Sequence, residues 1–251
     1  MSWSQKADLQ GRADSQLLLN DRVLVLAISG AWASVVVPDQ PTPLDSRGYP
    51  GWIPISQLSA ASPVTNGPIA VVTSPTGWMH SASQGDIELS FGTRLPLISS
   101  QGNTITLGLP GGATGTVPTN QVSVSPTGSV ESTAASVVAD ARKFLGLSYL
   151  WAGTAAFGYD CSGLVYNVYR AHGVTLPRDA DAQARVGTAV ARAALQAGDL
   201  IFFGQTAATV HHVAISLGNG MMLESPQTGY PVRIVPLGIY DDYFIGRRVT
   251  R

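Results

Sequence analysis

Two strings in the first half of the chain close in the same way. GWIPISQL, residues 51–58, and GTVPTNQV, residues 115–122, share the pattern G-x-[I/V]-P-x-x-Q-[L/V]. Each follows a turn, an arginine and alternating apolar residues: Arg22, Val23 and Val25 in one, Arg94, Leu95 and Leu97 in the other. Alternation with period two is the mark of a half-buried strand, and its recurrence marks a duplicated small all-β module of about five short strands. Arg22 to Pro54 is 32 positions and Arg94 to Pro118 is 24, so the first copy carries about eight extra residues. They lie in VPDQPTPLDSRGYPGW, residues 37–52, a loop stiffened by four prolines and two glycines and ending at Tyr49 and Trp52. A long loop of this kind, absent from the sister copy, points to a role at a site. The alternative is a plain surface excursion.

The periodicity changes after SPTGSVES, residues 125–132, which reads as a linker with helix-capping residues. Val137, Val138, Ala141, Phe144 and Leu145 then form one apolar helical face, and Arg142 and Lys143 near its end suit the helix dipole. The next stretch, FLGLSYLWAGTAAFGYDCSGLVYNVYRAHG, residues 144–173, holds the only cysteine, Cys161. Leu164, Val165, Val168 and Tyr169 follow it at helical spacing, and Gly173 is placed to end that helix. Cys161 therefore stands at or next to a helix N-terminus, where unpaired N–H groups and the dipole favour the thiolate, the reactive form. The other reading is a buried structural cysteine. Asp160 and Ser162 on either side argue against a purely apolar pocket.

Beyond that helix, LPRDADAQARVG reads as a loop or short helix. QAGDLIFF, VHHVAISL (210–217), MMLE (221–224), VRIVPL and YFIGRRV read as strands, with Gly218-Asn219-Gly220 as a hairpin signal. The expected fold class is α+β, with helices first and an antiparallel sheet after them. The expected division is residues 1–63 and 64–126 for the two β-modules and 127–251 for the third domain.

Charge and composition exclude several functions. With 15 basic and 16 acidic residues the net charge is −1, no basic stripe is present, and nucleic acid is not expected as a partner. One cysteine permits no internal disulfide, and four histidines (His80, His172, His211, His212) with one cysteine make poor material for a metal site, so no metal or cofactor is expected. The polar opening MSWSQKADLQGRADSQ has no apolar core of a signal peptide, and no apolar run approaches a membrane span. A leader removed from the natural chain stays open.

A thiol nucleophile needs a base, and the base needs a group that orients it. His80 lies in the second β-module, and His172 lies too far along the Cys161 helix. His211 and His212 remain, on one strand and facing opposite ways. With the hairpin centred on Gly218, His212 stands directly across from Glu224, and His211 across from Ser225. His212 and Glu224 then form either the base and third member of a triad or a surface ion pair.

The strings YLWAGTAAFGYDCSGLVYNVYRAHGVTLPRDADAQ, AGDLIFFG and HHVAISLGNGMMLES together resemble the NlpC/p60 family of papain-like cysteine peptidases, over about residues 134–251. The resemblance implies Cys161 as nucleophile, His212 as base and Glu224 as third residue, where many members have His. It implies that Tyr149 helps the Cys161 backbone N–H hold the oxyanion. The N-terminal half resembles the bacterial SH3-like domains of members that cleave the γ-D-Glu–diamino acid bond of murein peptides with a free N-terminal L-Ala. In them an SH3-like wall and the Asp before the nucleophile hold the substrate amine. The matching positions are Tyr49, Asp160 and Asp21, with Ser162 as a substrate contact and Asp181 where a serine is usual after L-P-R. Competing functions are a wall-binding protein with an idle catalytic domain, and an acyltransferase or amidase on the same fold. The chain is expected to be a monomer acting in the cytoplasm on released peptides, the alternative being an extracytoplasmic enzyme whose leader is missing.

Overall fold

The computed structural model describes residues 1–60 and 67–249. The chain divides into two compact units, Leu17–Val130 and a second made of Met1–Gln16 with Glu131–Arg251. The expected boundary at 63/64 lies outside the described residues.

A short helix α1 (Trp3–Ala7) opens the chain, capped by Ser2, whose side chain accepts from the Gln5 backbone N–H. Strands β1 (Leu24–Ser29), β2 (Trp32–Val37) and β3 (Tyr49–Pro54) then form an antiparallel sheet in that order. Among the described residues the first repeat thus has three strands, where about five were expected. The connection from β2 to β3 stays irregular, because Pro38, Pro41 and Pro43 bring no N–H to a ladder.

The second repeat is a fuller structure. Strands β4 (Ile69–Val72), β5 (Thr76–Ser81), β6 (Gly85–Ser90), β7 (Arg94–Gln101), β8 (Thr104–Gly108), β9 (Thr114–Pro118) and β10 (Val122–Ser125) form one sheet, in the order β10-β4-β7-β8-β9-β5-β6. Alternation sends Met79, Leu89, Ile105, Leu107 and Val117 into its core. Each such side chain contributes about 1.5–3 kcal/mol on burial.

In the other unit, α2 (Ala134–Arg142) is capped by Thr133 and Ser136 in a reciprocal box. It stops at Arg142, so Phe144 is buried in the chain beyond it and Leu145 is 43% exposed. Strands β11 (Thr154–Ala155) and β12 (Gly158–Tyr159) make a small hairpin, followed by α3 (Cys161–Ala171) and α4 (Ala180–Gln183). Six strands complete the unit: β13 (Thr188–Val190), β14 (Leu200–Phe203), β15 (His212–Gly218), β16 (Met221–Glu224), β17 (Arg233–Pro236) and β18 (Tyr243–Arg248). Their order is β13-β18-β14-β15-β16-β17, antiparallel throughout. This is the expected α+β arrangement of helices followed by an antiparallel sheet. α3 is buried from Ser162 to Ala171.

The first sixteen residues belong here and not with the β-module that follows them. Backbone and side-chain bonds hold them. Trp151 Nε1 donates to the Ala13 carbonyl at 2.9 Å, Gln16 Oε1 accepts from Thr154 N at 3.1 Å, and Ser15 Oγ accepts from Arg178 Nε at 3.0 Å. Among the described residues, no helix is long and apolar enough to cross a membrane.

Candidate active site

The site is built on the first turn of α3. Asp160 is its N-cap, with Oδ1 accepting from the Gly163 backbone N–H at 2.6 Å, and Cys161 is the first helical residue. Gly163 is required by the loop before it, since a Cβ there would stand 1.9 Å from the Gly153 carbonyl oxygen. At the far end Gly173 has φ +77°, and bonds from Gly173 N to Arg170 O (3.0 Å) and Val174 N to Tyr169 O (2.9 Å) close a Schellman motif. The helix is thus fixed at both ends, and the thiol stands on its first turn.

Asp160 has a second partner. Arg178, only 1% exposed, binds it through Nη2–Oδ2 at 2.6 Å and Nη1–Oδ1 at 3.2 Å, and Nη1 also donates to Ser162 Oγ at 3.0 Å. A buried carboxylate left alone would cost several kcal/mol, and the bidentate arginine removes that cost. Asp160, its charge paired by Arg178, and Ser162, hydrogen-bonded to the same arginine, therefore flank Cys161.

His212 begins β15, opposite Phe203 of β14 in the ladder. Its ring lies 5.6 Å from that of Phe203 and 5.6 Å from that of Tyr240. Nε2 stands 2.7 Å from Glu224 Oε2, and the side chain also hydrogen-bonds Cys161. With Nε2 engaged by the carboxylate, Nδ1 is the nitrogen left for sulfur. Burial alone would lower the imidazole pKa. The bonds to Cys161 and then Glu224 overcome it and push the value up to about 9.

The hairpin reaches this geometry by a different register from the expected one. Asn219 and Gly220, both at positive φ, form the centre of the turn, and Gly218 pairs with Met221. A bulge at Leu217 then sets Ser216 against Met222 and Ile215 against Leu223. Glu224 is consequently diagonal to His212 rather than directly opposite it. The two keep the same face because the shift in partners is two residues, and a shift of two preserves the side. Ser225 does not face His211; its hydroxyl donates to the Tyr159 carbonyl at 2.8 Å.

Glu224 is 1% exposed, and its other oxygen is taken as well. Oε1 accepts from Arg233 Nε at 2.9 Å and from the Tyr240 hydroxyl at 3.2 Å. Burial would raise its pKa, but the bonds to His212 and Arg233 hold the carboxyl below the usual carboxylate range. Tyr149 is buried, its N–H bonded to the Tyr230 carbonyl at 3.0 Å. Burial, with the charges of Cys161 and Asp160, drives the phenol pKa upward against the pull of Arg178, so Tyr149 keeps its proton as a donor.

The other expected residues sit on other elements. Asp181 is in α4, partly exposed, 3.5 Å from Arg185 one turn on. Tyr49 and Asp21 belong to the other unit: Tyr49 begins β3, buried and paired with Val37, and Asp21 Oδ2 accepts from Leu18 N at 2.8 Å. His211 points to solvent and meets Asp242 at 2.7 Å, and His172 is buried against Asp140 at 2.9 Å. Sequence reasoning assigned no role to Arg178, Arg233 or Tyr240. Arg178 stands in the L-P-R string and could have been read as the buried partner of the adjacent Asp160.

Residues 146–248 match the model of the NlpC/P60 family, and residues 72–124 match the YKFC SH3b2 domain. The chain is 39% identical to a gamma-D-glutamyl-L-lysine dipeptidyl-peptidase of Bacillus cereus, over 94% of this chain and 75% of the relative. It is 38% identical to the protein of that name from Bacillus subtilis, over 89% of this chain and 75% of the relative. The crystal structure of an NlpC/P60 family protein from Bacillus cereus superposes with a TM-score of 0.95 at 36% identity, covering 100% of this chain and 87% of that one.

Proposed function

The chain belongs to the NlpC/P60 family, and from that premise we propose that it is a cysteine peptidase cleaving the bond between γ-D-Glu and the following diamino acid in murein peptides. Its relatives' name, dipeptidyl-peptidase, describes removal of two residues from a free amino end. For this chain the two residues are L-Ala and γ-D-Glu, and lysine is the diamino acid that the relatives' name favours. A substrate with a free amine is a released peptide rather than intact wall, and the reading accordingly places the enzyme in the cytoplasm.

The observation that carries the reading is one imidazole bonded on two sides, to the Cys161 thiol and to the buried Glu224 carboxylate. An imidazole pKa of about 9 means that His212 is an imidazolium near neutrality, with its proton in hand for the leaving amine. The Cys161 thiolate adds to the γ-carbonyl carbon, and the carbonyl oxygen takes the negative charge. The Cys161 N–H at the start of α3 and the Tyr149 hydroxyl are the donors for that oxygen. His212 then gives its proton to the departing α-amine, the C–N bond breaks and a thioester forms. Neutral His212 next takes a proton from water as the hydroxide attacks the thioester. The C–S bond then breaks, the sulfur leaves, and release of L-Ala–γ-D-Glu regenerates the starting enzyme.

The test is mass spectrometry of digests of L-Ala–γ-D-Glu–L-Lys, with the free and the N-acetylated amine. Free tripeptide should yield lysine and the dipeptide, and Cys161→Ala should yield neither. Acetylation removes the charge and adds bulk, and should lower kcat/KM about a hundredfold, roughly 2.7 kcal/mol. Cleavage at another bond, or equal rates on both peptides, would overturn the assignment.

A further inference from the structure

We propose that the outer face of the seven-stranded sheet carries a second binding site, one for neutral sugar rings. Strand alternation gives β5 an inner row, Gly77, Met79 and Ser81, and an outer row, Thr76, Trp78 and His80. The inner row packs in the core. The outer row includes Trp78, 57% exposed, although the inner face of the same strand offers an apolar environment. Ladder registers extend the outer row into neighbouring strands: His80 stands between Asp86 of β6 and Thr116 of β9, and Thr116 is next to Thr106 of β8.

Trp78, His80, Asp86, Asn103, Thr104 and Thr116 line an open cleft of about 320 Å³. That volume is at the lower end of the range for small-ligand sites, about 300–1,000 Å³. The His80 Nδ1–Asp86 Oδ1 contact of 2.7 Å fixes the imidazole and carboxylate while leaving Nε2 and Oδ2 outward. The Asn103 amide and the Thr104 and Thr116 hydroxyls make no hydrogen bond to other described residues. An indole plane beside amide, hydroxyl and carboxylate groups is complementary to a pyranose ring, which offers a C–H face to the aromatic ring and hydroxyls at its edge.

Two further observations select this ligand class. The lining contains no Lys or Arg but includes Asp86, and Glu88 is the cross-strand neighbour of Trp78. A phosphate-rich or otherwise anionic polymer would be repelled. β5 is paired on both sides, with β6 and β9, and β9 with β5 and β8. The central strands of the cleft, β5 and β9, thus offer no free edge for main-chain bonding, and recognition across them runs through side chains.

The test uses the full chain, with chitotetraose as the probe, followed by isothermal calorimetry and by the tryptophan fluorescence change that is lost in Trp78→Ala. Saturable binding is expected, at least about tenfold weaker in Trp78→Ala and weaker in Asp86→Asn, with tripeptide hydrolysis unchanged in both. An Asn103→Ala/Thr104→Ala variant repeats the measurement if Trp78→Ala lowers the thermal midpoint. No saturable binding at millimolar chitotetraose, unchanged affinity in the variants, or displacement of the sugar by the tripeptide each overturns the proposal. Because hydrolysis is read separately, its failure and that of the peptidase reading are distinct results.

Discussion

Glu224 and Arg233 face each other across the β16–β17 ladder, with Arg233 Nε 2.9 Å from Glu224 Oε1. The carboxylate that orients His212 is therefore itself held from behind, by the arginine and by the Tyr240 hydroxyl. Arg233 touches no reacting atom and acts as a positioning residue through Glu224.

Arg233→Met removes a charge-assisted bond to a buried carboxylate, worth about 1.5–3 kcal/mol. kcat should fall roughly 10- to 100-fold with KM little changed, and the alkaline limb of the pH profile should move to lower pH. Arg233→Lys should recover part of the loss. Steady-state kinetics across pH check both, and an unchanged limb would remove Arg233 from the mechanism.

The pH dependence follows from His212. Its pKa is raised from 6.5 to about 9 in the folded protein, so folding strengthens its hold on the proton. The stability contributed is fully present below about 6.5 and is lost as pH rises through about 9. Activity should fall over the same upper range as the imidazolium needed for the leaving amine disappears. Glu224→Gln removes one of the two bonds that raise the value, and should shift both the activity limb and the alkaline loss of thermal stability downward.

The two adjacent histidines separate cleanly. His212→Ala should abolish turnover. His211→Ala should leave most of it, because that side chain is solvent-exposed against Asp242 on the other side of the strand. Turnover assays on the two purified variants decide the point, and an essential His211 would contradict the observed site.

Gly163→Ala should destabilise the fold by about 3 kcal/mol, at the upper end of overpacking effects. The new Cβ would fall 1.9 Å from a backbone oxygen, which cannot rotate away as a side chain would. Urea unfolding measures the loss, and a stability equal to that of the parent would mean that the Gly153 loop yields freely.

What the sequence disclosed depended on whether an interaction obeys a periodicity. The Cys161 helix, its cap at Asp160 and its stop at Gly173 are local patterns, and β16 appears at the expected residues 221–224. The His212–Glu224 contact survived a wrong turn centre because the error shifted the register by two residues and kept the face. Arg233 was hidden because residues 225–232 connect β16 to β17 without a signal that sets the register. The three-stranded form of the first repeat was hidden for a related reason: similar closing strings do not reveal which intervening segments join a ladder. Ala13 engages Trp151 through a backbone carbonyl, a group every residue has, so no residue type announces the contact.

The split composition of the unit that holds Cys161 has a consequence during synthesis. Ala13, Ser15 and Gln16 emerge from the ribosome early, but Trp151, Thr154 and Arg178, which they bind, follow only after the whole of Leu17–Val130. At about 5–20 residues per second the early segment waits on the order of 10–30 s for its partners. His212, Glu224 and Arg233 emerge later still. A nascent chain thus carries its nucleophile before its base, and the hydrolase is silent until the strands that bear His212 and Glu224 have emerged.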